Sequence, residues 1–107
     1  MLNTKDEVTR MINRHIARIM CNLEESGCPL VYKNAVKSAM VLIHADLTEI
    51  GTPEEAAEKI DIRSDELLTD LTAAACNRIY IQAVESELDW LRSDVCGLIE
   101  SEVDKTP

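Results

Sequence analysis

The chain has 107 residues, a formal net charge of −9 at pH 7 and an aromatic content of only 3%. This length fits a single domain over residues 1–107, whose core must be built from aliphatic side chains because the sequence contains no Phe. No apolar run approaches the ~20 residues that span a bilayer, so the composition excludes a transmembrane protein. Three Gly and three Pro among many Ala, Leu, Ile and Glu predict an all-α protein, folded as a small helical bundle.

The acidic excess is confined to the second half of the chain. Residues 1–50 hold six basic and six acidic side chains, whereas residues 51–107 hold five basic and fourteen acidic ones. Such a surface repels nucleic acid and anionic membranes and attracts a basic partner.

The N-terminus and the cysteines predict where the protein resides. The first ten residues, MLNTKDEVTR, contain no apolar signal region. Without an export signal, the four cysteines are expected to be reduced thiols of a cytoplasmic protein. Cys28, which lies between Gly27 and Pro29, is predicted to be the most exposed of the four thiols.

The first helix is predicted over about residues 4–26. Thr4 and Glu7 have the spacing of a capping box, in which the two side chains satisfy backbone N–H groups at the helix start. Apolar residues then recur every three or four positions. The helix is expected to end at Gly27, with Pro29 preventing its continuation.

The second helix is predicted over about residues 30–50. Its apolar residues step by four, three, four and three positions from Val36 to Ile50, which is the spacing of helix-on-helix packing. Gly51 is expected to end this helix.

A short third helix is predicted over residues 53–60, followed by a long fourth helix over residues 65–101. Thr52 is a favourable cap and Pro53 suits the first helical position. Ser64 is a second favourable cap, and no Gly or Pro follows it for most of the fourth helix. The expected architecture is therefore three main helices plus one short helix.

The fourth predicted helix is too long for such a bundle. Its roughly 37 residues would measure about 55 Å, against about 30–35 Å for each of the first two helices. An overhanging apolar seam needs a cover, and a second copy of the chain supplies one, so we expect a homodimer through this helix. The seam residues are Leu88, Leu91, Val95 and Leu98.

We interpret the fourth helix as a binding surface for a basic partner protein. Trp90 is a candidate anchor because Trp is enriched at binding hot spots, although it could equally cover the end of the core. Acidic residues that would steer a basic partner surround it, namely Glu85, Glu87, Asp89 and Asp94. The sequence thus predicts a small protein-binding module, comparable in type with inhibitors, immunity proteins and secretion chaperones.

A DNA-binding regulator is the alternative function. Residues 52–70 look like a helix-turn-helix motif, with a turn at residues 61–63 and a second helix from Ser64. However, the first turn of that second helix carries Asp65 and Glu66, where DNA recognition requires Lys and Arg. Nucleic acid is therefore the less favoured partner.

A ladder of basic residues lies on the first helix. Arg10, Arg14 and Arg18 are spaced by four residues and share one face. They could contact phosphates, or they could pair with the acidic second half of the chain, and the net charge favours the second reading.

Catalytic and metal-binding patterns are absent from the sequence. It contains no CxxC, HxxxH or GxSxG pattern, and three glycines cannot form a phosphate-binding loop. His15 and His44 are interpreted as hydrogen-bonded, half-buried residues. We expect no metal, no cofactor and no enzymatic activity. A magnesium-dependent hydrolase using Glu55 and Glu58 is a minor alternative.

Overall fold

The computed structural model describes residues 4–49 and 52–104, which fold into an all-α bundle, as predicted. The described residues form four helices: α1 (Thr4–Glu25), α2 (Leu30–Leu47), α3 (Pro53–Ala73) and α4 (Arg78–Asp104). Each helix packs on the next one in the chain, and α4 packs back on α1. Because the connections are short, neighbouring helices run antiparallel, and the result is an up-down-up-down four-helix bundle about 49 Å long.

The predicted boundary between the third and fourth helices is wrong. The sequence predicted a short helix to residue 60 and a long one from residue 65, but α3 is continuous from Pro53 to Ala73. Ser64 is a favourable cap, yet no Gly or Pro interrupts this segment, and one apolar stripe continues on both sides of Ser64. The buried residues of that stripe are Ala56, Ile60, Leu67 and Leu71. The described residues therefore form four helices of 18 to 27 residues rather than three main helices and a short one.

The true end of α3 is a tight turn centred on Ala75. Ala75 has a φ of 59°, in the left-handed region that favours glycine. The Cys76 N–H donates to the Leu71 carbonyl at 3.0 Å, which closes the helix end in a Schellman motif. Asn77 then caps α4, because its side-chain oxygen accepts from the Ile79 N–H at 2.9 Å. The sequence analysis missed this turn because Ala is the strongest helix former.

The end of α1 has the same geometry and was predicted correctly. Gly27 has a φ of 78°, and the Cys28 N–H donates to the Leu23 carbonyl at 2.9 Å. The second helix was predicted to run to residue 50, but α2 ends at Leu47, with Thr48 as its C-cap. The predicted cap at Thr52 is confirmed, since its side chain accepts from the Glu55 N–H at 3.2 Å. Ile50 and Gly51, the predicted end of the second helix, lie outside the described residues, as does the side chain of Thr4.

The two helical hairpins are built on the same plan, with a constant shift of 48 residues. Equivalent residues in the turns include Cys28 and Cys76, and Tyr32 and Tyr80. The same shift relates buried residues of α1 and α2 to buried residues of α3 and α4. The matching core pairs are Val8 and Ala56, Ile12 and Ile60, Ile19 and Leu67, Leu23 and Leu71, Val36 and Val84, Met40 and Leu88, Ile43 and Leu91, and Leu47 and Val95.

Two tyrosines connect the hairpins at the end of the bundle that carries the two turns. The Tyr32 hydroxyl donates to the Ala74 carbonyl at 3.0 Å, and the Tyr80 hydroxyl donates to the Ser26 carbonyl at 3.2 Å. Both donors and both acceptors are related by the 48-residue shift. The hairpins are therefore related by an approximate two-fold axis along the bundle, which exchanges α1 with α3 and α2 with α4.

Candidate functional site

An acidic groove runs between α3 and α4 on the outside of the bundle. Its volume is about 420 Å³, and four carboxylates and three aliphatic side chains contribute to its lining. The lining residues are Ile60, Asp61, Ser64, Asp65, Leu68, Glu85, Leu88, Asp89 and Arg92. Ile60 and Leu88 are buried and form the floor, whereas the carboxylates are exposed at the rim. We call this feature the acidic groove.

Helical spacing produces two facing rows of negative charge in the acidic groove. Asp61 and Asp65 lie one turn apart on α3, and Glu85 and Asp89 lie one turn apart on α4. Like charges at this spacing destabilise a helix by about 0.2–0.5 kcal/mol per pair. Arg92 is the cation of the lining, and its Nε donates to Asp61 Oδ1 at 3.0 Å. Among the described residues, the other three carboxylates of the groove make no ion pair.

The fold itself does not require these carboxylates. The positions of the first hairpin that correspond to Asp61, Asp65, Glu85 and Asp89 hold Asn13, Ala17, Lys37 and Val41. The same helical geometry is thus formed without a single acidic side chain at these places. The negative charge is a property of this groove and not of the bundle.

A second cluster joins α1 to α4 around His15, which is only 1% exposed. Its Nδ1 faces the buried Glu87 carboxylate, and its Nε2 lies 2.8 Å from Asp94 Oδ2. Both ring nitrogens therefore face carboxylate oxygens, and the Arg18 Nη2 also lies 3.0 Å from Nδ1. The Arg18 Nε also donates to both Glu87 oxygens at 3.2 Å. Glu87 and Asp94 are thus occupied inside the molecule and are not free to steer a partner.

Trp90 covers this cluster on the α1 side of α4. The Arg18 guanidinium lies 3.7 Å from the centre of the Trp90 ring, and the His15 ring meets it edge-on at 5.6 Å. Half of the Trp90 surface remains exposed. Trp90 does not line the acidic groove. The tryptophan and the unpaired carboxylates, predicted to share one surface, therefore lie on two different surfaces.

The seam predicted along α4 is mostly part of the monomer core. Leu88, Leu91 and Val95 are buried by the other helices, and Leu98 packs against the core while partly exposed. The expected overhang is absent because α4 begins at Arg78, and its 27 residues measure about 40 Å. The expectation of a dimer rested on an exposed apolar seam, and most of that seam is buried within the monomer.

The predicted basic ladder divides into two parts. Arg18 is engaged by Glu87 and Trp90, as described above. Arg10 and Arg14 are exposed and line an open groove of about 590 Å³ beside Leu98. Among the described residues, Arg18 is thus the member of the ladder that pairs with the acidic half of the chain.

The helix-turn-helix interpretation has no structural counterpart. Residues 61–63 lie in the middle of α3, so the segment from Thr52 to Asp70 contains no turn. A recognition helix cannot project from a segment that continues straight through the bundle.

Within the described residues, the potential metal ligands do not cluster and most of the thiols are not exposed. No group of three or more His, Cys, Asp or Glu side chains there could hold a metal ion. Cys28 is buried, contrary to prediction, and the exposed thiol is Cys21. Burial raises the pKa of the Cys28 thiol, and burial likewise raises the pKa of Cys76. These two thiols behave as small core residues.

Comparison with known proteins finds no related protein. No family model matches the chain, and no curated protein or solved structure shows significant similarity to it. None of the helices in the described part of the chain has the length and apolar character that crossing a membrane requires.

Two of the four groove carboxylates, Glu85 and Asp89, were predicted from the sequence, and the other two were not. Asp61 and Asp65 were assigned to a turn and to the start of a new helix, although their spacing of four residues is a signal of a shared helix face. Only the continuity of α3 brings them opposite α4.

Proposed function

We propose that the protein is a binding module whose acidic groove receives a basic segment of a partner protein. The observation that carries this proposal is the set of uncompensated carboxylates over an apolar floor, at positions where the equivalent hairpin has none. Keeping like charges together without internal partners costs stability, so an external cation is the ligand that this arrangement suits.

The groove suits a segment with cationic and apolar residues on one side. Lysine or arginine side chains would pair with Asp65, Glu85 and Asp89. Aliphatic groups would contact the partly exposed Leu68 beside the apolar floor. Attraction between opposite charges raises the association rate, and apolar burial then slows dissociation. The module would act by occluding or recruiting its partner, as inhibitors, immunity proteins and chaperones do.

This proposal differs from the sequence-based one in its anchor. Trp90 and Arg18 cover the His15 cluster, so the apolar contribution is assigned to the groove floor instead. The test is binding of a synthetic amphipathic peptide that carries Lys and Leu at helical spacing, measured by calorimetry at two salt concentrations. Asp65→Lys combined with Asp89→Lys should raise the Kd by at least about tenfold. Added salt should weaken binding to the unmodified protein.

The matched control has the same net charge but an intact groove. Asp6→Lys combined with Glu49→Lys changes two exposed carboxylates elsewhere and should retain most of the affinity. Equal losses in the two double variants would show that the peptide senses net charge only, and the groove proposal would fail. The same pair of variants applies to capture of partners from a nuclease-treated lysate, where a protein prey should be lost with the groove variant alone.

A further inference from the structure

Helix α2 exposes an apolar face that no other part of the described chain covers. Leu30 and Val31 are each 66% exposed, Val41 is 50% exposed and Leu42 is 45% exposed. No acidic residue occurs between Glu25 and Asp46. In a chain with a net charge of −9, this is a long surface without negative charge, and it is distinct from the acidic groove.

The spacing on this face suits a second helix. Val31, Ser38 and Ala45 recur every seven residues and are exposed. The exposed Val41 and Leu42 fill the second interval, and the exposed, polar Asn34 lies in the first. Ser38 at the middle of the face and Ala45 near the end of α2 are small, so another helix can approach closely at both places. The pattern is that of a helix-packing seam turned towards solvent.

The two flanks of this face carry opposite charges. On the α1 flank, Lys33 pairs with Glu24, and Lys37 follows one turn later on the same side with its side chain exposed. On the α3 flank, Arg63, Glu66 and Asp70 line a shallow groove against α2. Arg63 pairs with Glu66 and with Asp46, so Asp70 is the carboxylate of this groove that makes no ion pair among the described residues. Lys37 on one flank and Asp70 on the other thus lie at about the same position along the bundle axis.

We propose that a second copy of the chain packs on this face, with the two α2 helices parallel about a two-fold axis. A two-fold axis parallel to α2 exchanges the flanks, so Lys37 of each copy faces Asp70 of the other and both apolar faces are buried. An antiparallel pair would instead place lysine against lysine and carboxylate against carboxylate. The complementarity of the face with itself is what favours a second copy over an unrelated partner.

The proposal is independent of the acidic groove, and sedimentation measurements test it directly. The protein should sediment as a dimer that dissociates on dilution. Val41→Glu combined with Leu42→Glu should raise the dimer Kd by at least about tenfold, because the charges would be buried at the seam. Val31→Glu is a second variant at the other end of the face. Both sites are exposed, so circular dichroism should show an unchanged helical fold.

Charge exchange tests the orientation. Lys37→Glu and Asp70→Lys should each weaken the dimer several-fold, and the two changes together should restore it, because the ion pair is re-formed with reversed polarity. Ile79→Glu, an equally exposed apolar site at the end of the bundle, is the control and should leave the dimer unchanged. Trp90→Ala should also leave it unchanged, which separates this surface from the α4 seam predicted from the sequence.

Three results would overturn the proposal. The first is a monomer at every concentration from micromolar to millimolar. The second is a dimer that survives the glutamates at Val41 and Leu42. The third, which removes the parallel orientation, is a double charge exchange that weakens the dimer further instead of restoring it.

Discussion

Tyr32 and Tyr80 occupy equivalent positions in the two hairpins, and each donates a hydrogen bond to the turn of the other hairpin. The acceptors, the carbonyls of Ala74 and Ser26, are themselves equivalent. This reciprocity fixes the two turns against one another and defines the approximate two-fold axis of the bundle. It also provides an internal comparison, because each site in one hairpin can be read against the same position in the other.

The comparison applies to the polar contacts between helices. His15 binds Asp94 across α1 and α4, and the equivalent Arg63 binds Asp46 across α3 and α2, with Nε 2.7 Å from Oδ2. A side-chain nitrogen meets an aspartate oxygen at both places. The two hairpins therefore share this contact while only the second one carries an acidic groove.

Removing His15 should destabilise the protein strongly. His15→Leu leaves the Glu87 carboxylate buried with Arg18 as its remaining partner, and we expect a loss of about 3 kcal/mol in the free energy of unfolding. Combining it with Glu87→Leu should recover most of this loss, because the buried charge disappears and the site becomes apolar. Urea unfolding of both variants measures the difference. A double variant as unstable as the single one would contradict this account.

Ala75 and Gly27 both have a positive φ, so exchanging Ala for Gly at the first and Gly for Ala at the second should change the stability of the fold in opposite directions. Ala75→Gly relieves the backbone strain and should raise the free energy of unfolding by about 0.5–1 kcal/mol. Gly27→Ala introduces the same strain and should lower it by about 1 kcal/mol. The space around Gly27 is open, so the effect comes from the backbone and not from a clash. Thermal unfolding of the two variants at neutral pH provides the measurement, and a shift of the same sign in both would be inconsistent with it.

The ion pair between Asp46 and Arg63 should stabilise the fold at pH values above the titration range of the Asp46 carboxyl group. The hydrogen bond from Arg63 holds the pKa of Asp46 below its ordinary value. Since the folded-state pKa is depressed, the contribution is present above the unfolded-state pKa, near 4, and is lost as the pH falls through the folded-state pKa. Asp46→Asn should therefore cost about 0.5–1 kcal/mol at pH 7, allowing for the partial exposure of both side chains. The difference from the unmodified protein should shrink below about pH 4.

Substitution of Arg63, the ion-pair partner of Asp46, is the control for this pH dependence. Arg63→Met should reproduce the loss at pH 7. The double variant should lose little more than Arg63→Met alone, because that change already removes the pair with Asp46 as well as the exposed contact with Glu66. Denaturant unfolding at a series of pH values gives all four curves. Full additivity would indicate that the two side chains act separately.

Alkylation should identify Cys21 as the reactive thiol. Cys21 is exposed, whereas Cys28 and Cys76 are buried. The charge of Glu25, and the hydrogen bond that its carboxylate accepts from the thiol, raise the pKa of Cys21. Glu25→Gln should therefore increase the rate of iodoacetamide labelling at pH 8 several-fold, because more thiolate is present. Mass spectrometry assigns the labelled residue, and Cys21→Ser, which should abolish rapid labelling, is the control.

Local signals account for what the sequence predicted correctly. The apolar stripes, the cap at Thr52 and the terminator at Gly27 depend on residues close together in the chain, and they were sufficient for the all-α class and for the end of α1. The failure at Ser64 and Ala75 has the same origin. A favourable cap residue sat inside a helix, and a strong helix former sat in a left-handed turn, because the packing of Leu67 and Leu71 outweighs a local preference of less than about 1 kcal/mol.

By itself, the sequence determined a helical protein with an aliphatic core and an acidic second half, because the spacing of apolar residues and the positions of charged ones can be read directly from the order of residues. Only the tertiary structure decided which charges are free. Glu87 and Asp94 are neighbours of Asp89 in sequence, yet their directions around α4 place them against His15, while Asp89 faces Asp61 and Asp65 across the groove. The physical reason is that a helix turns its residues by 100° each, so the environment of a side chain depends on which helix lies opposite, and residues far apart in the chain set that.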